Sequence, residues 1–583
     1  MIHATLDAPV HPLGHRARVL LASVFGPYAQ DDQYGSRLLN PMELYHNQVT
    51  RVQRGFSFRT FHRSWGLMLI QANLQAPCTL LDFPSEARFL AEIKTHNYDV
   101  IGISAIIPNV LKVRRMCRLI RKHQPQATIV VGGHLANWPE AERYVGADHV
   151  VRGDGVQWMR RFLGEDERRS IRHPVVMSDI GPRIMGVDLE DHAGLENATL
   201  IPSVGCPKGC SFCSTSAMFG GKGRWVDFYR TGDELFELMC GLESRLGARG
   251  FFVMDENFLL NKSRALRLLE LMEAHGKDWF LKIFGSADVL RQFSMEQLVS
   301  LGVAWVWLGL EGQDARYAKL AGTDTRALVR QLQSHGIRVL GSSIIGLEEH
   351  SPENIDAVID HAVGHNADFH QFMLYTPIPG TPLYADLETK GRLFAWTDFA
   401  AADIHGQLQF NFRHPRIESG MEGEFVLRAF QRDFEINGPS VARAIRTFLH
   451  GWRRYRDHPN PRIRARFAHE ARNLPVRYAA VLWAAREHFE DDPRRSQLIG
   501  DVLAMLYAEC GPAAERAAPI AGRRLYRQLQ QEEERLRDGW TYEPPTFYET
   551  NSDDGPAAAV RVQSIAVARP AVDAAAQELP LLE

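Results

Sequence analysis

Three cysteines stand close together in the stretch VGCPKGCSFC, at Cys206, Cys210 and Cys213. The glycines and the proline between them bend the backbone, so that the three thiolates can converge on one inorganic group. Structural zinc takes four closed ligands, often from two CxxC pairs, and the sequence offers neither a second pair nor a nearby CxxH. A 4Fe–4S cluster held by three thiolates keeps one iron open for a small molecule, and soft sulfur ligands favour such clusters. The spacing therefore predicts an iron–sulfur site with these three metal ligands, rather than zinc or three incidental buried cysteines.

The other cysteines and the net charge indicate the cellular compartment and the class of partner. Cysteines 78, 117, 240 and 510 lie alone in apolar or amphipathic surroundings, which is typical of buried thiols in a reducing compartment. The N-terminus lacks a secretory signal, and no apolar run approaches the roughly 18–20 residues of a membrane span. A net charge of −3 gives no overall attraction to nucleic acid. We therefore predict a cytoplasmic protein that has no membrane-spanning segment and binds no nucleic acid.

The cysteines follow the first of six strand-like apolar runs that alternate with amphipathic segments. The runs cover residues 198–206, 250–257, 279–288, 303–312, 337–347 and 367–377. This alternation predicts a partial (β/α)6 barrel over residues 196–388, in which ligand-bearing residues gather at the C-terminal ends of the strands. Asp255, Ser286, Glu311 and Gly346 fall at such ends. Acids and glycines at strand ends also cap helices and form turns, so each position alone has a structural alternative.

The CxxxCxxC spacing, with the aromatic Phe212 before the last cysteine, resembles the hallmark of the radical S-adenosylmethionine (SAM) superfamily. The resemblance implies a 4Fe–4S cluster that binds SAM and cleaves it by one-electron transfer. It implies contacts of the SAM amino group with the segment MDENF, although Asp-Glu-Asn departs from the usual Gly-Gly-Glu. The SAM-binding residues implied by the resemblance are Asp255 and Glu256 for the amino group, Glu311 for the ribose, and Ser286, Ser343 and Gly346 near the carboxylate and adenine.

Upstream of the barrel, residues 1–165 alternate short apolar strands with amphipathic helices, which predicts a Rossmann-like, doubly wound parallel sheet. No GxGxxG follows the first strand, so a dinucleotide site is unsupported. Small residues follow three strands, in IGIS (101–104), VVGGH (130–134) and VVRGDG (150–155). They predict a shallow, backbone-rich platform for a broad planar ligand at one edge of the sheet. A polar connector over 166–195, with few core contacts, leads into the barrel.

This platform resembles the cobalamin-binding domain that precedes the barrel in some radical SAM proteins. The resemblance implies a set of cofactor-binding residues at the strand ends: Ser104, Gly132, Gly133, His134, Gly153, Asp154 and Gly155. The family's DxHxxG loop, which supplies an axial histidine to cobalt, is missing here. His134 is the nearest substitute and could equally be a hydrogen-bonded polar residue at a strand end. A domain of this fold can also persist for packing alone, because fold does not fix function.

The C-terminal part of the chain changes character. Residues 389–548 predict a helical domain, and residues 549–583, rich in alanine and proline, predict a disordered tail. Ten arginines lie between Arg443 and Arg477. They could bind an anionic substrate, a carrier domain or a membrane surface, or they could form a solvated helix face with intramolecular pairing.

Together these features resemble a cobalamin-dependent radical SAM methyltransferase. The resemblance implies that one SAM methylates cobalamin, that a second generates the 5′-deoxyadenosyl radical, and that an unactivated carbon of a small-molecule substrate, anionic or lipid-like, receives the methyl group. An electron donor such as flavodoxin or ferredoxin would be a partner. The alternatives are a cyclisation or rearrangement with the same cofactors and, in a different class, a non-catalytic cofactor sensor.

Overall fold

The computed structural model describes residues 10–26, 49–58, 62–178, 183–184, 187–188, 197–312, 324–396, 399–538 and 546–551. Short 3-10 helices lie among the longer elements, at Gly14–Arg16, Arg54–Phe56, Ile107–Asn109, His134–Asn137, Phe258–Leu260 and Ala401–Asp403.

A doubly wound sheet forms the first part of the chain, which confirms the predicted Rossmann-like fold. Its parallel strands are β1 (Val19–Ser23), β2 (Cys78–Asp82), β3 (Val100–Ser104), β4 (Thr128–Gly132) and β5 (His149–Val150). The helices are α1 (Trp65–Ala72), α2 (Glu86–Thr95), α3 (Val110–His123), α4 (Ala141–Val145) and α5 (Gly155–Phe162). The strand order β2-β1-β3-β4-β5 reverses the winding between β1 and β3. In such sheets the ligand lies beyond the carboxyl ends of the strands at that point.

The predicted polar connector, residues 166–195, contacts the barrel in its first half. A two-residue antiparallel pair, β6 (Arg183–Ile184) and β7 (Val187–Asp188), lies within it, and its other residues beyond 178 are outside the described ranges. Before it, Ser178 donates its N–H to the carbonyl of Asn197 (2.6 Å), and Val176 accepts from the N–H of Thr199 (3.0 Å). The expectation of few core contacts was wrong here, because the edge of the barrel offers unpaired backbone groups that this segment satisfies.

A six-stranded parallel sheet forms the partial barrel, as predicted. Its strands, in chain order and in spatial order, are β8 (Asn197–Leu200), β11 (Gly250–Val253), β12 (Phe280–Gly285), β13 (Val303–Glu311), β14 (Arg338–Ile345) and β15 (Phe369–Leu374), and the short antiparallel pair β9 (Ser203–Val204) and β10 (Val226–Asp227) follows β8. The helices of this part are α6 (Ser214–Met218), α7 (Gly232–Leu246), α8 (Lys262–Ala274), α9 (Ala287–Leu290), α10 (Met295–Ser300), α11 (Thr325–Ser334), α12 (Ile355–Val363) and α13 (Pro382–Thr389). Every neighbouring pair of barrel strands is parallel, so all six carboxyl ends meet at one mouth.

Helices fill the C-terminal part. They are α14 (Glu422–Asn437), α15 (Ser440–Tyr455), α16 (Pro461–Ala471), α17 (Ala479–His488), α18 (Pro493–Cys510) and α19 (Pro512–Arg537), with a π-helical turn at Leu474–Tyr478. Their apolar faces join Leu340 and Phe369 of the barrel in one core. Within the described ranges, no helix is both long enough and apolar enough to cross a bilayer.

The arginine-rich segment ties these helices to the barrel, so intramolecular pairing is the alternative that the structure supports. Arg443, Arg462 and Arg466 are buried. Arg443 pairs with Asp433 (2.7 Å), Arg462 donates to the carbonyl of Ser300 (2.6 Å), and Arg466 donates to the carbonyl of Val303 (2.8 Å). Side chains used in this way are not available to an external anion or a membrane.

The chain returns to the first sheet at its far end, which corrects one boundary. Strand β16 (Phe547–Thr550) pairs antiparallel with β2, so the predicted disorder is wrong for residues 549–551. Arg63 contributes to the docking, since its guanidinium lies 3.8 Å from the ring centre of Phe547 and 2.8 Å from the carboxylate of Glu549. Residues 552–583, the rest of the predicted disordered tail, lie outside the described residues.

Candidate cofactor site

The three cysteines lie on the loop between β9 and α6, at the mouth of the barrel. Two glycines give this loop its shape, because Gly205 and Gly209 have φ angles of 86° and 68°. A Cβ atom on Gly209 would lie 2.6 Å from Cα of Lys222. The loop therefore packs against the segment after α6 at a distance that only glycine allows.

The thiols are close enough to influence one another. Burial raises the pKa of Cys206 to about 11, and charge on Cys213 and Cys210 contributes to this rise. Cys213 also caps α6, where its Sγ accepts the N–H of Ser216 at 3.5 Å. No disulfide involves any of the three.

This donor set fits an iron–sulfur cluster better than a single ion. In the described part of the chain, no three side chains of His, Cys, Asp or Glu are arranged to hold one metal ion. A 4Fe–4S cluster takes each thiolate on a different iron, so its ligands surround a group and do not converge on a point. Burial raises the pKa of Cys206 and Cys213, so these two thiols stay protonated until a metal displaces the proton.

Glu256 and Asp255, adjacent in the sequence, have different surroundings. Asp255 is buried and accepts hydrogen bonds from Arg264 (2.7 Å) and Ser203 (2.6 Å). Glu256 has a buried Oε2 without a hydrogen-bond partner among the described residues. Burial raises the pKa of Glu256 to about 8, the charge of Asp255 adds to the rise, and the N–H of Gly205 opposes it. A carboxylate with one unpartnered oxygen beside the cysteine loop fits a cationic group of a ligand, such as the SAM amino group.

The remaining strand-end residues of the barrel have different contacts and backbone conformations. Ser286 is buried and accepts a hydrogen bond from Asn257 (2.9 Å), so it belongs to the MDENF corner. Glu311 lies at a register shift between β13 and β14, with a left-handed φ of 49°, a strained position that is common at functional sites. Ser343 is 2.9 Å from Nε2 of the buried His370.

Gly346 is less open than the sequence suggested. Its N–H donates to Nδ1 of His350 (3.0 Å), and a Cβ there would lie 2.3 Å from the ring of Phe410. The amide is therefore engaged within the protein, and contact of this residue with adenine stays a prediction.

In the first sheet, Ser104, Gly132 and Gly133 lie together at the ends of β3 and β4. Ser104 and Gly132 are paired in register, and Gly133 has a φ of 78°. A Cβ on Gly133 would lie 2.5 Å from the carbonyl of Ala105. This edge is therefore backbone-rich and closely packed, as expected for a sheet that a flat ligand approaches.

The second glycine motif of this sheet starts a helix. Asp154 is the N-cap of α5, and its Oδ1 accepts from the N–H groups of Val156 (2.9 Å) and Gln157 (3.1 Å). A Cβ on Gly155 would lie 2.9 Å from the side chain of Ile70, whereas Gly153 lies near the carbonyl of Met218 in α6. Gly153 thus faces the barrel, while Asp154 and Gly155 have evident structural roles.

His134 does not stand free at the sheet edge. Its Nε2 lies 3.0 Å from Oγ1 of Thr215, on the helix that follows the cysteines. Burial lowers the pKa of His134, which favours the neutral ring. The histidine therefore joins the two parts of the molecule.

Two contacts that the sequence did not reveal complete this junction. Asn137 donates to the carbonyl of Ser214 (2.9 Å), and Arg152 donates to the carbonyl of Ala217 (2.6 Å). Only their positions just after β4 and β5 could have drawn attention to them. The ligand edge of the first sheet consequently lies directly against the cysteine-bearing helix.

Aromatic side chains line the inner face of the barrel. Phe284 and Trp307 stack with ring centres 5.1 Å apart, and Phe252 meets Phe284 edge-on at 5.9 Å. Their strand neighbours Val253, Ile283 and Val306 belong to the core that contains the outer helices. Since strand residues alternate between faces, the rings point inward.

A three-cysteine loop at the mouth of a six-stranded parallel barrel, set against the ligand edge of a doubly wound sheet, defines a radical SAM enzyme with a cobalamin-binding domain. Comparison with known proteins agrees: the family model described as B12 binding domain matches residues 55–163, and that of the radical SAM superfamily matches residues 200–362. The predictions of the 4Fe–4S cluster, SAM and cobalamin as cofactors are confirmed at the level of these domains.

Several curated proteins are similar to the chain. A protein of Pyrococcus horikoshii named an uncharacterised methyltransferase is 24% identical over 61% of this chain and 85% of its own. The bacteriochlorophyllide d C-12(1)-methyltransferase of Chlorobaculum tepidum is 28% identical over 52% of this chain and 68% of its own. The anaerobic magnesium-protoporphyrin IX monomethyl ester cyclase of Cereibacter sphaeroides is 22% identical over 55% of this chain and 58% of its own.

Proposed function

We propose that this enzyme transfers a methyl group to an unactivated carbon of a small, largely apolar biosynthetic intermediate. The observation that carries the proposal is the junction in which His134 and Arg152, at the ligand edge of the first sheet, contact the helix that follows the cysteines. This junction supports an arrangement in which both cofactors face one reaction space. Relatives named as methyltransferases support the same outcome.

In this proposal Cys206, Cys210 and Cys213 bind three irons of the cluster, and Glu256 holds the SAM amino group through its unpartnered oxygen. When bound, the reduced cluster and SAM supply radical chemistry, and cobalamin supplies the methyl group. The protein's own contribution is orientation, because a ligand held at both ends lies in one geometry against the cluster. Ser286, Glu311 and Ser343 are proposed as further SAM contacts, with Asp255 acting through Arg264 as a positioning residue.

At the other cofactor, Ser104, Gly132, Gly133 and Gly153 are proposed to form the cobalamin platform. His134 is proposed as a positioning residue rather than a cobalt ligand, since its Nε2 already lies within hydrogen-bond distance of Thr215. Asp154 and Gly155 support the platform by starting α5.

The aromatic inner wall supports an apolar substrate. Phe252, Phe284 and Trp307 offer ring faces that exclude water from a reaction that uses radicals, and Lys282 lies on the same face of β12 as Phe284. No side-chain base is required. We further propose that the enzyme works in the cytoplasm, because its seven cysteines form no disulfide. A one-electron donor is proposed as a partner because the cluster would have to be reduced before SAM is cleaved.

Alanine variants test the cluster assignment. Cys206→Ala, Cys210→Ala and Cys213→Ala each remove one iron ligand, so anaerobically reconstituted protein should lose most of its bound iron and sulfide and its SAM cleavage. Cys240→Ala, on α7, is the matched control and should retain all three. Normal iron content in any of the first three variants would contradict the assignment.

A second candidate is an oxidative cyclase with the same cofactors, which the similarity to the Cereibacter sphaeroides enzyme favours. Isotope labelling separates the two. The enzyme is incubated with methyl-labelled SAM and a metabolite extract from cells that lack its gene. Methyl transfer predicts one labelled methyl group in product for each 5′-deoxyadenosine formed, whereas a cyclase would form 5′-deoxyadenosine and leave the product unlabelled.

A further inference from the structure

The last long helix, α19, presents a positively charged face to solvent. At about 100° per residue, four exposed arginines and one exposed isoleucine fall within an arc of about 100° on one side of this helix. We call these residues the basic face: Arg516, Ile520, Arg523, Arg524 and Arg527. The residues on the opposite side are buried in the core of the C-terminal helices: Ala514, Ala518, Leu525 and Leu529. The basic face therefore points away from the rest of the molecule.

The arginines of the basic face have no carboxylate partner in the described part of the chain. None of the four forms an ion pair with a described residue. Residues 516–531 contain no aspartate or glutamate, and the flanking Glu515 and Glu532 lie on other sides of the helix. The first acid to return to the same side is Glu534, about two turns beyond Arg527. Unneutralised positive charge therefore extends for about 16 Å along the helix.

Ile520 gives the basic face an apolar centre. Its side chain is 70% exposed and lies between Arg523 on one side and Arg524 on the other. A lone aliphatic side chain is ordinary on a protein surface, but this one is surrounded by cations. The half-buried ring of Trp483, on α17, lies 5.7 Å from the guanidinium of Arg523. Aliphatic and tryptophan side chains among exposed arginines are typical of a surface that contacts lipid headgroups.

We propose that the basic face docks this enzyme on the surface of an anionic lipid bilayer. The arginines meet the negative headgroups, and Ile520 enters the boundary between the headgroups and the acyl chains. A bilayer supplies both the negative charge and an apolar layer beneath it, whereas nucleic acid offers no apolar layer for Ile520. An apolar substrate of the kind proposed above would partition into the same bilayer. That last step alone rests on the proposed function.

Cosedimentation of the reconstituted holoenzyme with vesicles tests the docking surface. Vesicles of equal parts phosphatidylglycerol and phosphatidylcholine should bind wild type about tenfold or more better than vesicles of phosphatidylcholine alone. Arg523→Glu combined with Arg527→Glu should weaken binding to the anionic vesicles by about tenfold or more, because charge reversal replaces attraction with repulsion. Added salt should narrow this difference, because ions screen exposed charges. Ile520→Gln, which leaves the charges in place, should weaken binding by about threefold or more.

The matched control is Arg118→Glu combined with Arg143→Glu, two exposed arginines on α3 and α4 of the first domain. It makes the same change in net charge and should leave vesicle binding unchanged. Every variant should keep the iron content of wild type and, with dithionite and no vesicles, its rate of 5′-deoxyadenosine formation. These two measurements show that the variants are folded.

Equal binding of wild type and both basic-face variants to the anionic vesicles would overturn the proposal. Wild type that bound polyglutamate or a DNA duplex but not the anionic vesicles would also overturn it, and would assign the face to an acidic protein or a nucleic acid. Vesicle binding needs no turnover. It therefore decides the docking surface even if labelled SAM reveals no methyl transfer and the proposed function fails.

Discussion

The shape of the cysteine loop depends on the absence of a Cβ atom at Gly209. At Gly209 a left-handed φ coincides with a backbone approach to Lys222, whereas Gly221 has a similar φ of 82° with nothing within 4 Å of a Cβ. The two glycines therefore share the same conformational demand and differ in the space available. A comparison of the two positions therefore distinguishes the cost of a left-handed φ from the cost of a steric clash.

We expect Gly209→Ala to lower cluster incorporation without removing a ligand. Both Gly209→Ala and the control Gly221→Ala cost about 1–2 kcal/mol for the left-handed conformation. Only Gly209→Ala also displaces the loop, because its Cβ would lie 2.6 Å from a backbone atom. Iron content after reconstitution measures the difference, and equal iron content in the two variants would show that the close approach is unimportant.

Buried histidines make the stability of the folded protein depend on pH. His173 accepts the N–H of Ile201 on Nε2 (2.9 Å), so it is neutral in the folded state. Burial lowers the pKa of His173 and His365 to about 4 and that of His370 to about 3. Each would take up a proton more readily on unfolding.

Stability should therefore fall as the pH drops below about 6.5, the unfolded value, towards 4. In that window each histidine lowers the free energy of unfolding by at most about 1.4 kcal/mol for each unit by which the pH drops. Above about pH 6.5 it has no such effect. Urea unfolding midpoints between about pH 7 and pH 5 measure the slope. His173→Gln should make the slope shallower, whereas His15→Gln, at an exposed position, should not change it; identical slopes in all three proteins would contradict this explanation.

At the scale of elements, α16 is held to the base of the barrel by polar contacts rather than by apolar packing alone. Arg466 pairs with Glu470 (2.7 Å) and donates to carbonyls of Val299 and Val303 (2.8 Å each). The same carboxylate receives Arg338 (2.9 Å) from β14. Burial lowers the stability of an isolated charge, so the network depends on all its members.

Arg466→Met should destabilise the protein by about 3 kcal/mol, since it leaves Glu470 and two carbonyls partly unsatisfied inside the protein. Arg472→Met, an exposed residue of the same segment, should cost less than about 1 kcal/mol. Chemical denaturation measures both. A small effect of Arg466→Met would mean that apolar contacts alone hold α16 in place.

For the whole molecule, the decisive feature is the junction between the first sheet and the barrel. Arg152 makes a charge-assisted hydrogen bond to Ala217 (2.6 Å), and Asn137 donates to Ser214 (2.9 Å). Both acceptors are carbonyls of α6, which begins directly after the last cysteine. These two hydrogen bonds therefore hold α6 against the ligand edge of the first sheet.

We expect Arg152→Met to increase local unfolding of α6 but not of the rest of the barrel. Loss of one charge-assisted bond, about 1.5–3 kcal/mol, should increase hydrogen–deuterium exchange in residues 214–218. Exchange in α11, remote from the junction, should not change. Arg161→Met, which removes an ion pair with Glu167 on the far side of α5, is the control and should leave α6 as in wild type.

The sequence by itself determined the elements and the cluster motif. Apolar runs alternating with amphipathic segments predicted both sheets, because strand and helix formation depend mainly on local periodicity. The CxxxCxxC spacing predicted the metal ligands for a similar reason, since three ligands on one short loop need no distant partner.

Only the tertiary structure decided how these parts meet. The pairing of Asp255 with Arg264 and the contact of His134 with Thr215, 81 positions apart, depend on side chains that fold topology brings together. The return of β16 to β2 brings Glu549 to Arg63, far away in sequence. Such contacts leave no periodic trace in a single sequence, because each is one pair among many that the chain could form.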